Sequence, residues 1–118
     1  MNYWMEHELK RIRGENPAYP AHASESWPEE PAPPSQDAWD RELKRFAELL
    51  AEFRGFAQSQ AEVLDRQVPE TDPTKAVRSR SVIEVLWQIV AHNSYHLGQI
   101  IVLRAALGAG PPTRPDTW

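Results

Sequence analysis

The chain has 118 residues, with 13 Lys and Arg against 17 Asp and Glu, a formal net charge of −4 and no cysteine. That size allows one small domain with a modest core, and the missing cysteine removes disulfides, thiolate ligands and a thiol nucleophile. The negative balance argues against nucleic acid as a partner, and the sequence has neither an apolar run near the ~20 residues of a membrane span nor a signal-peptide pattern, so a soluble, cytoplasmic protein is expected.

Proline placement sets the element boundaries. Six of the eleven prolines lie between Pro17 and Pro34, two are Pro69 and Pro73, and three are Pro111, Pro112 and Pro115. Proline breaks helix interiors, and the stretches between these clusters carry helical periodicity. A first helix is predicted from Asn2 to Arg13, with Met1, Met5, Leu9 and Ile12 on one side and Gly14 as its stop. Residues 15–34 form a long Pro-rich loop, whose Tyr19, His22 and Trp27 favour a loop that packs against something. A second helix is predicted from Ser35 to Gln67. Ser35 serves as N-cap, and Trp39, Leu43, Phe46, Leu50, Phe53, Ala57 and Leu64 form one apolar stripe. Val68-Pro69 ends it, because a residue before proline avoids the helical region.

The third helix opens on the capping box Ser81-Val82-Ile83-Glu84 and closes at Gly108, with Arg104 suited to the negative end of its dipole. Residues 109–118 are expected to form a flexible tail. The result is one all-α domain over 1–118, built from helices of about 12, 32 and 27 residues. The last helix is apolar nearly all round, through Leu86, Trp87, Val90, Leu97 and Ile101, so it wants cover on several sides. Two partners, one of them short, do not supply that cover. A fourth helix or another subunit is therefore expected.

His92 and His96 stand four apart in the third helix and stack on one face, otherwise formed by Val82, Val85, Ile89, Ile100, Leu103 and Leu107. Both imidazoles can point a nitrogen at one ion, which suits Zn²⁺, Ni²⁺, Fe²⁺ or Mn²⁺. Spacing alone leaves metal ligation and chance as equal alternatives. Asn93 stands where a zincin-type site needs glutamate, no Glu-x-x-His motif occurs, and a haem would leave one histidine unexplained. A catalytic metal usually has three protein ligands, so a third is sought from His7, His22, water or a partner chain. His7 and His22 are themselves read as solvent-exposed. Gln99 lies beside the pair as a group that could orient a histidine, or as a boundary glutamine. Tyr95 could hydrogen-bond within a pocket or simply pack. Trp27 could cover an apolar pocket or anchor the loop. No catalytic residue is assigned.

The run His92-Asn93-Ser94-Tyr95-His96-Leu97-Gly98-Gln99-Ile100, with Leu103-Arg104 and Leu107-Gly108 after it, resembles the last helix of DinB/YfiT-like metalloenzymes. Met1-Asn2-Tyr3-Trp4, the segments Tyr19-Pro20-Ala21-His22 and Ser26-Trp27-Pro28, and the helix opening at Trp39 are similar to that family as well. The resemblance implies an up-down-down-up four-helix bundle, often dimeric, with three histidines around a divalent metal. Two of those ligands map onto His92 and His96. The remaining one maps at or just before Met1, and the chain looks like the family without its first helix. Relatives include thiol S-transferases and isomerases that use bacillithiol or mycothiol, which implies a low-molecular-weight thiol cosubstrate and transferase or hydrolase-like chemistry on a small molecule. The alternative is a noncatalytic helical dimerisation module, or a truncated gene product, without metal.

Overall fold

The computed structural model describes residues 1–109. Three long helices, α1 (Asn2–Ile12), α2 (Gln36–Ala57) and α4 (Val82–Ala106), pack pairwise against one another. A single turn of helix, α3 (Ala61–Leu64), and a two-stranded antiparallel ribbon, β1 (Gln67–Pro69) and β2 (Ser79–Ser81), lie between α2 and α4. A short 3-10 turn, Ala23–Ser26, interrupts the Pro-rich loop.

Side-chain pairs give the helix directions. Asn2 bonds Glu42, Glu6 pairs with Arg45, and Arg13 pairs with Glu52, so α1 and α2 run parallel. Met5 contacts Asn93 through a sulfur-amide contact of 3.3 Å, whereas the other end of α1 lies near the start of α4 through Arg66. Helix α4 is therefore antiparallel to both. Parallel neighbours cannot be joined by a tight turn, and this is the physical reason for the long loop between α1 and α2. The order down, down, up matches the last three directions of the bundle that the resemblance implies.

The caps follow the sequence. The Ser35 hydroxyl accepts from the Ala38 amide at 3.1 Å, and Ser81 and Glu84 form the reciprocal box that starts α4. Gly14 at φ +87° and Gly108 at φ +66° take the left-handed conformation that lets the chain turn back onto the helix-end carbonyls. The core joins Met5, Leu9 and Ile12 of α1, Leu49 and Phe53 of α2, Val68 of β1, and Val82, Val85, Leu86 and Ile89 of α4.

Two expectations need correction. Helix α2 ends at Ala57 rather than running to Gln67, and Gln58–Gln60 make a turn into α3. The Ser59 hydroxyl donates to the Gly55 carbonyl, the kind of side-chain competition that loosens a helix end. Val68 then lies in a strand, fully buried, with Pro69 in an edge position where its missing N–H is harmless. The stripe on α2 is also shorter than its periodicity suggests, since Trp39 and Leu43 are exposed. Helix α4 divides likewise: its first two turns enter the core, while Val90, Leu97, Ile101, Leu103 and Leu107 stay exposed. The expected tail, apart from Ala109, lies outside the described residues.

Candidate functional site

The histidine pair sits where α4 leaves the core. The rings of His92 and His96 have centroids 4.6 Å apart and cross at 75°. His92 is half-buried, and its Nε2 is inaccessible to solvent without a hydrogen-bond partner among the described residues. Its pKa is lowered, first by burial and then by the neighbouring His96, so the ring is held neutral with a lone pair to offer. His96 is fixed differently. Its Nδ1 lies 2.9 Å from Gln99 Oε1, and the Gln99 amide nitrogen donates to the Tyr95 hydroxyl at 3.2 Å. Because a carbonyl oxygen only accepts, Nδ1 must carry the proton, and the lone pair falls on Nε2. That relay is the arrangement by which ligating histidines are commonly oriented.

The pair opens into a cavity of about 1340 Å³ bounded by α4, the first turn of α1 and the Pro-rich loop. Met1 and Trp4 come from α1, Tyr19 and Trp27 from the loop, and Tyr95, Gln99, Ile100 and Leu103 from α4. The Trp27 ring meets His96 edge-on at 6.4 Å, although it remains 64% exposed. Trp4 and Tyr19 contact each other at 5.6 Å. Met1, the residue next to the position where the resemblance places a further histidine, lines the same cavity.

His7 lies elsewhere. The expectation of an exposed residue is wrong, because His7 is 5% exposed and its Nε2 lies 2.9 Å from Thr71 Oγ1. The physical reason is the ribbon, whose connecting turn covers this side of α1. Burial is the main cause of its lowered pKa, followed by Arg11. His22 is exposed, beside the 3-10 turn. Neither residue lines the cavity, and among the described residues no group of three His, Cys, Asp or Glu is placed to hold a metal.

Around His7 is a buried charged cluster that periodicity does not reveal. Arg11, 2% exposed, pairs with Glu8 at 2.7 Å, reaches Glu70 at 3.4 Å, and donates twice to the Pro69 carbonyl. Arg80 meets the other oxygen of Glu70 at 3.5 Å. The cluster therefore ties α1 to both strands. Tyr19 connects it to the cavity: its ring contacts His7 and Trp4, while its hydroxyl lies against the Asp72 carboxylate. Trp4 lines the cavity, although the sequence reading names it only within the resemblance and gives it no role in a site.

Comparison with protein families matches the chain to the DinB family over residues 6–115. Searches of curated proteins and of solved structures gave no match.

Proposed function

This chain belongs to the DinB family, and on that footing we propose that it is a metal-dependent protein whose divalent ion is held by His92 and His96. The observation that carries the reading is the buried, partnerless Nε2 of His92 beside a second imidazole whose tautomer is fixed by Gln99. A buried nitrogen without a partner is costly, and a cation on its lone pair removes that cost. Two imidazole nitrogens suit Zn²⁺, Ni²⁺, Fe²⁺ or Mn²⁺, leaving other positions for water, a cosubstrate or a partner chain.

Bound there, the ion would supply Lewis acidity, lowering the pKa of a coordinated thiol or water. The protein's own share is positional. Gln99 accepts the Nδ1 proton of His96, Tyr95 accepts from the Gln99 amide and holds it in place, and burial keeps His92 neutral. The Trp27 ring of the loop stands edge-on to His96. In this reading the chemistry is thiol S-transfer, with a low-molecular-weight thiol such as bacillithiol or mycothiol as cosubstrate, since the chain has no cysteine.

Metal content tests the proposal. The protein is incubated with zinc or nickel, desalted and analysed beside His92→Ala and His96→Ala. One ion per chain, lost in both variants, is expected; an unmutated protein that retains none would sink the reading.

A second reading is a noncatalytic dimerisation module, favoured by the apolar side chains that α4 exposes beyond Ile89. Such surface on one helix is what an interface between two copies covers. A dimer by light scattering, with metal-free protein throughout, would support this reading over the first.

A further inference from the structure

The Pro-rich loop carries a small folded unit of its own. The Glu25 amide donates to the His22 carbonyl at 3.0 Å, and the Glu25 carboxylate accepts from the His22 amide at 3.0 Å. The Ser26 hydroxyl donates to the Ala23 carbonyl at 2.8 Å, and the Trp27 amide to the Ser24 carbonyl at 3.1 Å. These bonds begin and end within residues 22–27, so the stretch holds its shape without help from the bundle. Pro20 precedes it and Pro28, Pro31, Pro33 and Pro34 follow, and their fixed φ makes both connections stiff. Among the described residues, the hydrogen bond that ties residues 16–34 to the bundle is that of the Tyr19 hydroxyl to the Asp72 carboxylate. The Tyr19 ring also rests on Trp4 and His7, at 5.6 and 6.1 Å. The far end of the unit meets the bundle through the edge contact of Trp27 with His96.

Asp72 is a fixed point. Its Oδ1 accepts from the Thr74 amide at 2.9 Å and from the Thr74 hydroxyl at 2.6 Å, and the adjacent Thr71 hydroxyl meets His7. Arg11 ties the same turn to α1 through the Pro69 carbonyl and Glu70. The buried charged cluster thus holds the acceptor still, and Tyr19 brings the loop to it. We propose that residues 21–28 form a flap over His92 and His96, held closed by the Tyr19–Asp72 bond. Ala21, Ala23, Ser26 and Trp27 line the cavity from the flap, and the two histidines line it from α4. Trp27 is 64% exposed, so its contact with His96 is too slight to fix the flap alone. Tyr19 is accordingly a positioning residue, which acts on the pair through Trp27 and sets how often the flap is open. A lid of this kind controls how readily solvent and small molecules reach the groups beneath it. The proposal rests on the preceding reading only for the use made of those groups.

The chain has no cysteine, so nitroxide labels go only where a cysteine is introduced. Two doubly labelled, metal-free full chains are compared by pulsed dipolar spectroscopy. Ser24→Cys with Lys44→Cys reports the flap against α2, and Lys44→Cys with Ala91→Cys reports α2 against α4; all of these positions are exposed. The parent should give one narrow distance for each pair. Tyr19→Phe keeps the ring and removes the hydroxyl, and should broaden the flap distance about twofold or more while leaving the helix distance unchanged. The net loss of one hydrogen bond shifts an opening equilibrium by about fivefold, so carbethoxylation of His96 by diethyl pyrocarbonate should rise by about that factor. The exposed His22 serves as the unchanged control. A flap distance that stays narrow in Tyr19→Phe overturns the proposal, as does one already broad in the parent. Broadening of both distances would mean a loosened bundle instead of a released flap and overturns it too. So does a released flap with no change at His96. Every readout is metal-free: protein that binds no zinc leaves the flap standing, and a flap that does not move leaves the metal reading standing.

Discussion

Two places in this small bundle enclose imidazole, and they are finished differently. Around His7 every strong polar group has an answer: Thr71 for the ring, Glu8, Glu70 and the Pro69 carbonyl for Arg11, and Arg80 for the rest of Glu70. Around His92 and His96 the relay through Gln99 and Tyr95 is complete on one side, yet the His92 Nε2 is left buried and unpaired. The first arrangement binds elements of the fold to each other. The second, in the proposed reading, faces an ion from outside the chain. Among the described residues, His92 Nε2 and Asn93 Oδ1 are the buried side-chain atoms without a hydrogen-bond partner, and of these two residues only His92 lines the cavity.

The comparison can be broken first at Arg11. Arg11→Ala leaves the buried Glu8 without its partner and Glu70 with Arg80 alone, and should cost about 3–5 kcal/mol in urea unfolding. The histidine pair lies outside that cluster, so whatever fraction remains folded should still bind zinc. A loss below about 1 kcal/mol would show that water replaces the guanidinium, and the cluster would not be the tie described.

The two histidine positions should then respond in opposite ways. His7→Ala removes the bond to Thr71 and should cost about 1–3 kcal/mol while leaving metal content unchanged. His92→Ala removes a nitrogen that has no partner, and should cost less than about 1 kcal/mol in the metal-free protein while abolishing metal binding. Equal destabilisation by both would erase the distinction. A smaller effect is expected from Gln99→Leu, which frees the His96 tautomer and should weaken zinc by about tenfold.

The smallest effect is on pH dependence. His7 has its pKa lowered by burial, so the folded state favours the neutral ring. Above the unfolded value near 6.5 the associated stability is fully present. As the pH falls below that value the unfolded chain takes up the proton first, and stability is lost until the folded value is reached. His92 adds a term of the same sign in metal-free protein. Melting temperature should therefore decline on acidification below about pH 6.5, and His7→Gln should flatten the slope. A slope unchanged by that substitution would place the titration elsewhere.

Much of this was legible in the sequence for a physical reason. Caps and prolines are local signals, so Ser35, Ser81-Glu84, Gly14 and Gly108 marked helix ends near where they fall. The i,i+4 spacing of His92 and His96 sufficed to bring their rings together. What escaped was non-local or short. A three-residue strand has no period to detect, so Val68-Pro69 read only as the stop of the second helix. Without the ribbon there was nothing to cover His7, and the ion cluster joining residues 8, 11, 70 and 80 had no visible scaffold. The exposed far half of α4 was foreshadowed by its apolar circumference, since a helix of that kind needs more cover than two neighbours provide.

The central claim is that one histidine set is closed within the fold and the other is open to a metal ion. It is tested most directly by following histidine ring ¹⁵N resonances while zinc is added to the metal-free protein. The account predicts that the Nε2 signals of His92 and His96 shift together and saturate at one ion per chain, with those of His7 unmoved. Unchanged His92 and His96 signals, or a shift at His7 instead, would contradict it.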